Sequence, residues 1–386
     1  MSNKFIPYGR QWIDQDDVQT VEETLKSDYL TTGPKVEEFE EKFAQYVDAE
    51  YAVAVSNGTA ALHAACFAAG IEKGDEVITT PITFAASANC ILYQDGTPVF
   101  ADVDKKTYNI NPDKIKEKIT DKTKTIIPVH YTGQPCELDR IREIANENDL
   151  TVIEDAAHAL GATYKGEKIG ALSDMSTFSF HPVKHITSGE GGMVTTDSEE
   201  LYNKLIKFRT HGITKNENHY INESHGPWYH EQQSLGYNYR MTDIQCALGM
   251  SQLEKSDSFL ARRREIAKQY NQAFQDIEGI KIPYQNKGVN SSWHIYVLQL
   301  ELEKLSANRK DIFKALREKE LGVNVHYIPV YHHPYYQSLG YEKGLCANAE
   351  WLYERIITIP LYPKMNNHQI KIVINKVKDT IKNNLI

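Results

Sequence analysis

Over the first 250 positions, short apolar runs alternate with longer stretches in which apolar residues recur at helical spacing. Residues 15–28 are charged and helical in period, and T-T-G-P at 31–34 breaks that helix. The stretch 36–47 places Val36, Phe39, Phe43 and Val47 on one helical face. Y-A-V-A-V at 51–55 predicts a short buried strand, and an alanine-rich helix follows as far as Gly70. The alternation then repeats. E-V-I-T-T-P, P-V-F-A-D-V, T-K-T-I-I-P-V-H-Y and L-T-V-I-E-D-A read as strands, and A-A-S-A-N-C-I-L-Y and E-L-D-R-I-R-E-I-A-N-E-N read as helices. Strands this short and apolar, separated by helices, predict an α/β architecture: a mainly parallel sheet with helices on both faces.

Beyond residue 250 the texture changes. A long charged helix is predicted over 251–275, and W-H-I-Y-V-L-Q-L-E-L alternates as an antiparallel strand does. Helices predicted at 308–319 and 366–383 flank further strands, an α+β pattern. A chain of 386 residues exceeds what one hydrophobic core normally serves. We therefore expect a large domain over 1–250, with an N-terminal arm over 1–35, and a smaller C-terminal domain over 251–386.

The net charge of −9 argues against nucleic acid or an anionic membrane surface as the main partner, because both reward clustered Lys and Arg. The longest basic run, Arg262-Arg263-Arg264, falls on a predicted helix and reads as a solvated face. No apolar stretch is long enough to span a bilayer, and M-S-N-K-F-I-P-Y-G-R lacks the apolar region of a secretion signal, so a cytoplasmic location is expected. The five cysteines are odd in number and far apart, which suits buried thiols in a reducing compartment. There is no C-x-x-C pair, and H-E-Q-Q-S at 230–234 lacks the second histidine of a zinc helix, so no metal site is assigned.

Three features carry candidate chemistry. S-N-G-T-A-A-L at 56–62 joins a strand to a helix start, where free N–H groups suit a phosphate or where Ser56, Asn57 or Thr59 simply caps the helix. It is neither a Walker loop nor the G-x-G-x-x-G fingerprint of a nicotinamide dehydrogenase. Asp155 ends a hydrophobic strand, the place where open α/β sheets bind ligands, although a helix cap is an equally ordinary role. His158 lies three residues on. Lys184 sits between the strand-like T-F-S-F and the small residues T-S-G-E-G-G, where a surface lysine in a hairpin loop is the simple alternative. Taken in order, a phosphate cradle, a strand-end carboxylate and a lysine are what pyridoxal phosphate requires: donors for its phosphate, a carboxylate for its pyridine nitrogen and an amine for its aldehyde.

S-N-G-T-A-A-L, T-P-I-T-F-A-A-S-A-N, E-D-A-A-H-A-L-G, F-S-F-H-P-V-K-H-I-T-S-G-E-G-G and G-Y-N-Y-R-M-T-D-I-Q-C-A-L-G occur in this order. Through them the chain resembles, nearly end to end, the DegT/DnrJ family of sugar aminotransferases, of the pyridoxal phosphate-dependent transferase fold type I. The resemblance implies that Lys184 binds the cofactor aldehyde and later shuttles the proton. Asp155 would hold the pyridine nitrogen, His158 would approach the phenolic oxygen, and Phe84 would stack on the ring. Gly58, Thr59, Ala60 and Ser179 would bind the phosphate, helped by Asn238 from the second subunit of a homodimer. It places the nucleotide sugar near Thr31, near Tyr237 and Arg240 of the other subunit, and near His326 and Tyr327.

Within the family, F-H-P-V-K-x-I-T with E-G-G looks like enzymes that aminate C4 of the sugar. G-V-N-V-H-Y-I-P-V-Y at 322–331 and S-S-W-H-I-Y-V-L at 291–298 look most like the UDP-4-amino-4,6-dideoxy-N-acetyl-β-L-altrosamine transaminases of pseudaminic acid synthesis. That branch often has proline after the lysine, and this chain has His185. The resemblance implies a ping-pong reaction between L-glutamate and a UDP-linked 4-keto sugar. A related dehydratase, which replaces the lysine with histidine, is disfavoured by Lys184, and a non-catalytic binding protein on the same scaffold is the alternative of a different class. The aromatic tract Tyr327, Tyr331, His332, His333, Tyr335 and Tyr336 reads equally as sugar pocket or as packing between domains.

Overall fold

The computed structural model describes residues 5–386. Seven strands form the main sheet: β1 (Tyr51–Val55), β2 (Glu76–Thr79), β3 (Thr97–Phe100), β4 (Thr123–Ile127), β5 (Thr151–Asp155), β6 (Met175–Ser179) and β7 (Gly192–Thr196). Their order is β1-β7-β6-β5-β4-β2-β3. β3, β2, β4, β5 and β6 run parallel, and β7 runs antiparallel to both of its neighbours. The antiparallel return from β6 to β7, with Ser179 opposite Gly192, turns residues 180–191 into a loop at the carboxyl end of β6. Lys184 lies on this loop.

Successive strand residues face opposite layers, as the pleat requires. Ala54, Ile126, Val152 and Phe178 enter a core shared with Phe39, Phe43, Leu138 and Ile141. Val53, Val55, Ile127, Ile153 and Met175 enter the other core, with the alanines of the helix Gly58–Ala68 and with Phe208. Both faces are therefore covered, which is why these strands carry continuous apolar runs. We number the helices α1 (Gln15–Leu25), α2 (Pro34–Val47), α3 (Gly58–Ala68), α4 (Ala86–Leu92), α5 (Leu138–Glu147) and α6 (Glu199–Arg209). Their starts follow local chemistry: Asp14 and Asp17 form a capping box on α1, and Pro34 opens α2.

The C-terminal part holds α7 (Asp243–Glu254), α8 (Ser256–Phe274), α9 (Arg309–Glu318), α10 (Asn367–Lys382) and an antiparallel sheet of β8 (Ile280–Lys281), β9 (Tyr296–Leu300) and β10 (Ile356–Ile359). A third core joins α8, α10 and this sheet, and it takes in Ile6, which bridges to Leu321. The beginning of the chain is thus docked on its C-terminal part. No helix among the described residues is long and apolar enough to cross a membrane.

Two readings of the sequence need correction. The charged stretch predicted as one helix is two, α7 and α8, meeting at Lys255. Strand β9 is antiparallel, as its alternation predicts, and is buried at every position, because α8 and α10 cover one face and residues such as Ile82 and Phe100 the other; Gln299 survives there by accepting a bond from the Tyr108 hydroxyl at 3.2 Å. The arginine run is not a solvated face. Arg263 is 1% exposed, and its guanidinium donates to main-chain carbonyls that α8 packs against. Of the aromatic tract, Tyr331 and Tyr336 are core residues and Tyr335 is exposed, so packing accounts for the first two.

Candidate active site

A cavity of about 1110 Å³ opens at the carboxyl ends of β5 and β6. Its floor begins with α3. Asn57 caps this helix by accepting from the Ala60 amide at 2.8 Å, which leaves the amides of Gly58 and Thr59 without intrahelical partners. A Cβ on Gly58 would lie 2.8 Å from the Ser179 Cβ, so only glycine lets the helix start approach the end of β6 this closely. Amides and hydroxyl converge there as an anion cradle beside the positive helix terminus. Asn57 is thus the cap that the sequence allows, and Gly58, Thr59 and Ala60 lie on the cavity wall.

Asp155 is buried at the end of β5. Its Oδ1 accepts from the Ala157 amide at 3.2 Å and its Oδ2 from the Ser87 hydroxyl at 2.6 Å. The first bond stabilises the local turn, and the second fixes a carboxylate that still borders the cavity. His158 follows on that turn. Its Nε2 faces the Tyr327 hydroxyl at 3.2 Å, and its buried Nδ1 has no partner. Burial, then the neighbouring Lys184, His326 and His185, holds the imidazole well below the usual histidine range, so it is neutral.

The Lys184 amine lines the same cavity. Burial pushes it down to about 8, against the opposing pull of the Asp155 carboxylate. A substantial neutral fraction is therefore present near physiological pH, which a nucleophile or a base needs. Capture of an aldehyde by cofactor-free protein should accordingly slow by about tenfold per pH unit as pH falls below 8. Stopped-flow absorbance across pH 6–10 reads this directly; a rate that stays flat down to pH 6 would exclude the depressed amine.

The other expected residues divide into two groups. Phe84, 64% exposed, and Ser179, His326 and Tyr327 all line the cavity. Tyr237 does so as well, on the chain's own cavity, where the resemblance had assigned it to the other subunit. Thr31, Asn238 and Arg240 are not on this wall: Thr31 bridges to Thr242, and Asn238 bridges to Thr210 and is exposed. Several lining residues escaped the sequence reading, among them Ser87, Tyr8 and Asn324. Ser87 stands in the first turn of alanine-rich α4, where a lone hydroxyl was its one signal. Tyr8 arrives because Leu361 donates to its carbonyl at 3.0 Å, and Asn324 because it bridges to Thr358 beside β10. Neither contact has a local signature.

The residues present fit pyridoxal phosphate: an anion cradle, a fixed carboxylate, an unpartnered buried imidazole nitrogen and an amine share one cavity. Fold and site together define a pyridoxal phosphate-dependent transaminase of fold type I. The chain belongs to the DegT/DnrJ/EryC1/StrS aminotransferase family, which it matches over residues 11–378, and it is a sugar aminotransferase. It is 45% identical over 383 residues to the spore coat polysaccharide biosynthesis protein SpsC of Bacillus subtilis, covering 98% of both chains. Among solved structures it superposes on Helicobacter pylori PseC, an aminotransferase involved in the biosynthesis of pseudoaminic acid, with a TM-score of 0.92 at 31% identity, covering 98% of this chain and 100% of that one. The PLP form of the putative sugar aminotransferase Spr1654 from Streptococcus pneumoniae gives a TM-score of 0.92 at 30% identity, covering 99% of this chain and 100% of that one.

Proposed function

We propose that this enzyme transfers the amino group of L-glutamate to C4 of a 4-keto-6-deoxy nucleotide sugar, with UDP-2-acetamido-2,6-dideoxy-β-L-arabino-hexos-4-ulose as the expected acceptor in pseudaminic acid-type biosynthesis. The observation that carries this reading is the size and make-up of the cavity. Its volume of about 1110 Å³ exceeds the usual range for one small ligand, leaving room for a sugar above the cofactor. When bound, the cofactor supplies a carbonyl carbon and an electron sink. Lys184, in its neutral form, takes the proton from the reacting carbon of the substrate and returns it as the ammonium so formed. Asp155 stabilises positive charge at the depth of the site, and Phe84 offers an aromatic face. His326 and Tyr327 stand where a sugar ring would be gripped.

Among the described residues, Lys184 is the only Lys or Arg on the cavity wall. Glutamate and a nucleoside diphosphate both carry negative charges that ask for cations. Arg240, with Thr31 and Asn238, lies outside its own cavity and is the natural supply to a second copy's, in a homodimer with shared sites. The similarity to PseC supports the acceptor class, whereas the similarity to SpsC, a spore coat polysaccharide biosynthesis protein, names no sugar, so a different UDP-, GDP- or dTDP-4-keto sugar is the second reading. Mass spectrometry of products from a panel of such sugars with glutamate decides between them. A mass gain matching ketone-to-amine conversion is expected for the UDP-N-acetyl acceptor; conversion of other sugars only would replace this assignment.

A further inference from the structure

Among the described residues Arg263 is the largest fully buried side chain, and its hydrogen-bond partners are carbonyls rather than carboxylates. Nη1 donates to His294 O at 3.0 Å, to Trp293 O at 3.3 Å and to Leu361 O at 3.3 Å, and Nη2 donates to Lys184 O at 3.4 Å. Burial pushes the guanidinium down to about 9, which leaves it charged at neutral pH. A buried charge without a counter-ion is costly and persists only where hydrogen bonds hold it. Core packing alone would be served by leucine or methionine.

The carbonyls come from three separate segments: the loop after β6, the run preceding β9 and the chain following β10. The run 291–294 is itself tightly determined. Trp293 has φ +50, a conformation that bulky side chains rarely adopt. The Ser292 hydroxyl donates to His158 O at 2.7 Å, and the His294 amide donates to Thr132 O at 2.9 Å. The His294 ring packs 4.1 Å from the His158 ring, centre to centre, and 5.4 Å from that of His185. One planar fork therefore ties the main chain of Lys184 to the segment that supports His158.

We propose that Arg263 is a positioning residue for transamination: it pins the Lys184 loop to the 292–294 segment, so that the amine and the His158 imidazole keep one relative placement. It touches neither substrate nor cofactor. The inference rests on Lys184 being the catalytic amine. Lysine cannot substitute fully, because a flexible ammonium with three donors does not reproduce a rigid fork that reaches four carbonyls.

The test uses full-length holoenzyme carrying Arg263→Lys or Arg263→Met. Single-turnover decay of the visible band against glutamate concentration separates the rate constant from the apparent Kd. Misplacing a reacting group by about 1 Å costs on the order of 100-fold, so we expect a loss of roughly 10-fold for the lysine variant and roughly 100-fold for methionine, with Kd moving less than about twofold. The thermal midpoint reports folding; should the methionine variant not fold, the lysine variant decides alone. A folded variant with a rate constant within about twofold of the parent overturns the proposal, as does a loss confined to Kd. Borohydride reduction and peptide mapping without any donor show separately whether Lys184 carries the cofactor. An unlabelled Lys184 in the parent would refute the active-site reading itself, and a labelled parent inert to glutamate would refute the choice of donor.

Discussion

Lys184→Ala is expected to lower turnover by at least ~10⁴-fold, the upper range for a positioned acid–base group, because the variant also loses the amine that attaches the cofactor. Lys184→Arg should be as inactive despite its similar length, since a guanidinium does not deprotonate at working pH. Steady-state product formation by mass spectrometry reads the loss. The folded protein should survive it, and the direction of the stability change with pH can be worked out. The folded value of about 8 lies below the ordinary 10.5. Between these values the unfolded chain binds more protons, so the stability of the cofactor-free parent rises as pH climbs from 8 to 10.5. Below 8 the burial penalty is fully present and constant. The alanine variant lacks that rise, and thermal melts of both proteins at pH 7.5 and pH 10 would expose the difference. Retained turnover in Lys184→Ala would end the assignment.

Asp155→Asn keeps the size of the side chain and removes the charge; its one remaining oxygen accepts from Ser87 Oγ or from the Ala157 amide, and the other position becomes an NH2 donor. Breaking a buried ion pair typically costs about 3–5 kcal/mol. At 1.36 kcal/mol per decade this corresponds to roughly two to four orders of magnitude in rate, provided the carboxylate acts by stabilising positive charge in the site. The expected result is a loss of that size in the rate of amino-group transfer, with cofactor still retained through Lys184 and the Gly58–Thr59 cradle. Single-turnover kinetics of the reconstituted variant, set beside its cofactor content, provide the measurement. A variant within tenfold of the parent would reduce Asp155 to the turn-capping role seen in its bond to the Ala157 amide.

Most of the architecture was legible in the residues. β1, β2, β4 and β5 lie within the predicted apolar runs and β3 and β6 overlap them, because a strand covered on both faces advertises itself by continuous hydrophobicity. The strand ends also exposed the chemistry: Asp155 and Lys184 are charged residues interrupting apolar texture. What misled was solvation. Arg262, Arg263 and Arg264 are identical in type and adjacent, yet Arg263 is buried while Arg262 reaches Glu265 and the Met365 carbonyl at the surface. Composition cannot separate them, since the deciding groups are carbonyls at residues 184, 293, 294 and 361. β9 shows the same limit: its alternating pattern gives the antiparallel strand that is observed, but not that the strand is central and dry.

The amino-acid sequence alone determined the strand–helix alternation, the helix caps, the glycine at the cradle and the types of residue able to carry the reaction. These are properties of a residue and its near neighbours, set by backbone sterics, propensity and periodicity. Only the tertiary structure decided that Ser87, Tyr8 and Asn324 join the cavity, that Tyr237 faces its own site, and that β7 runs backwards to hold the Lys184 loop. The physical reason is that the burial of a polar group is settled by its hydrogen-bond partners, and here those partners lie far away along the chain.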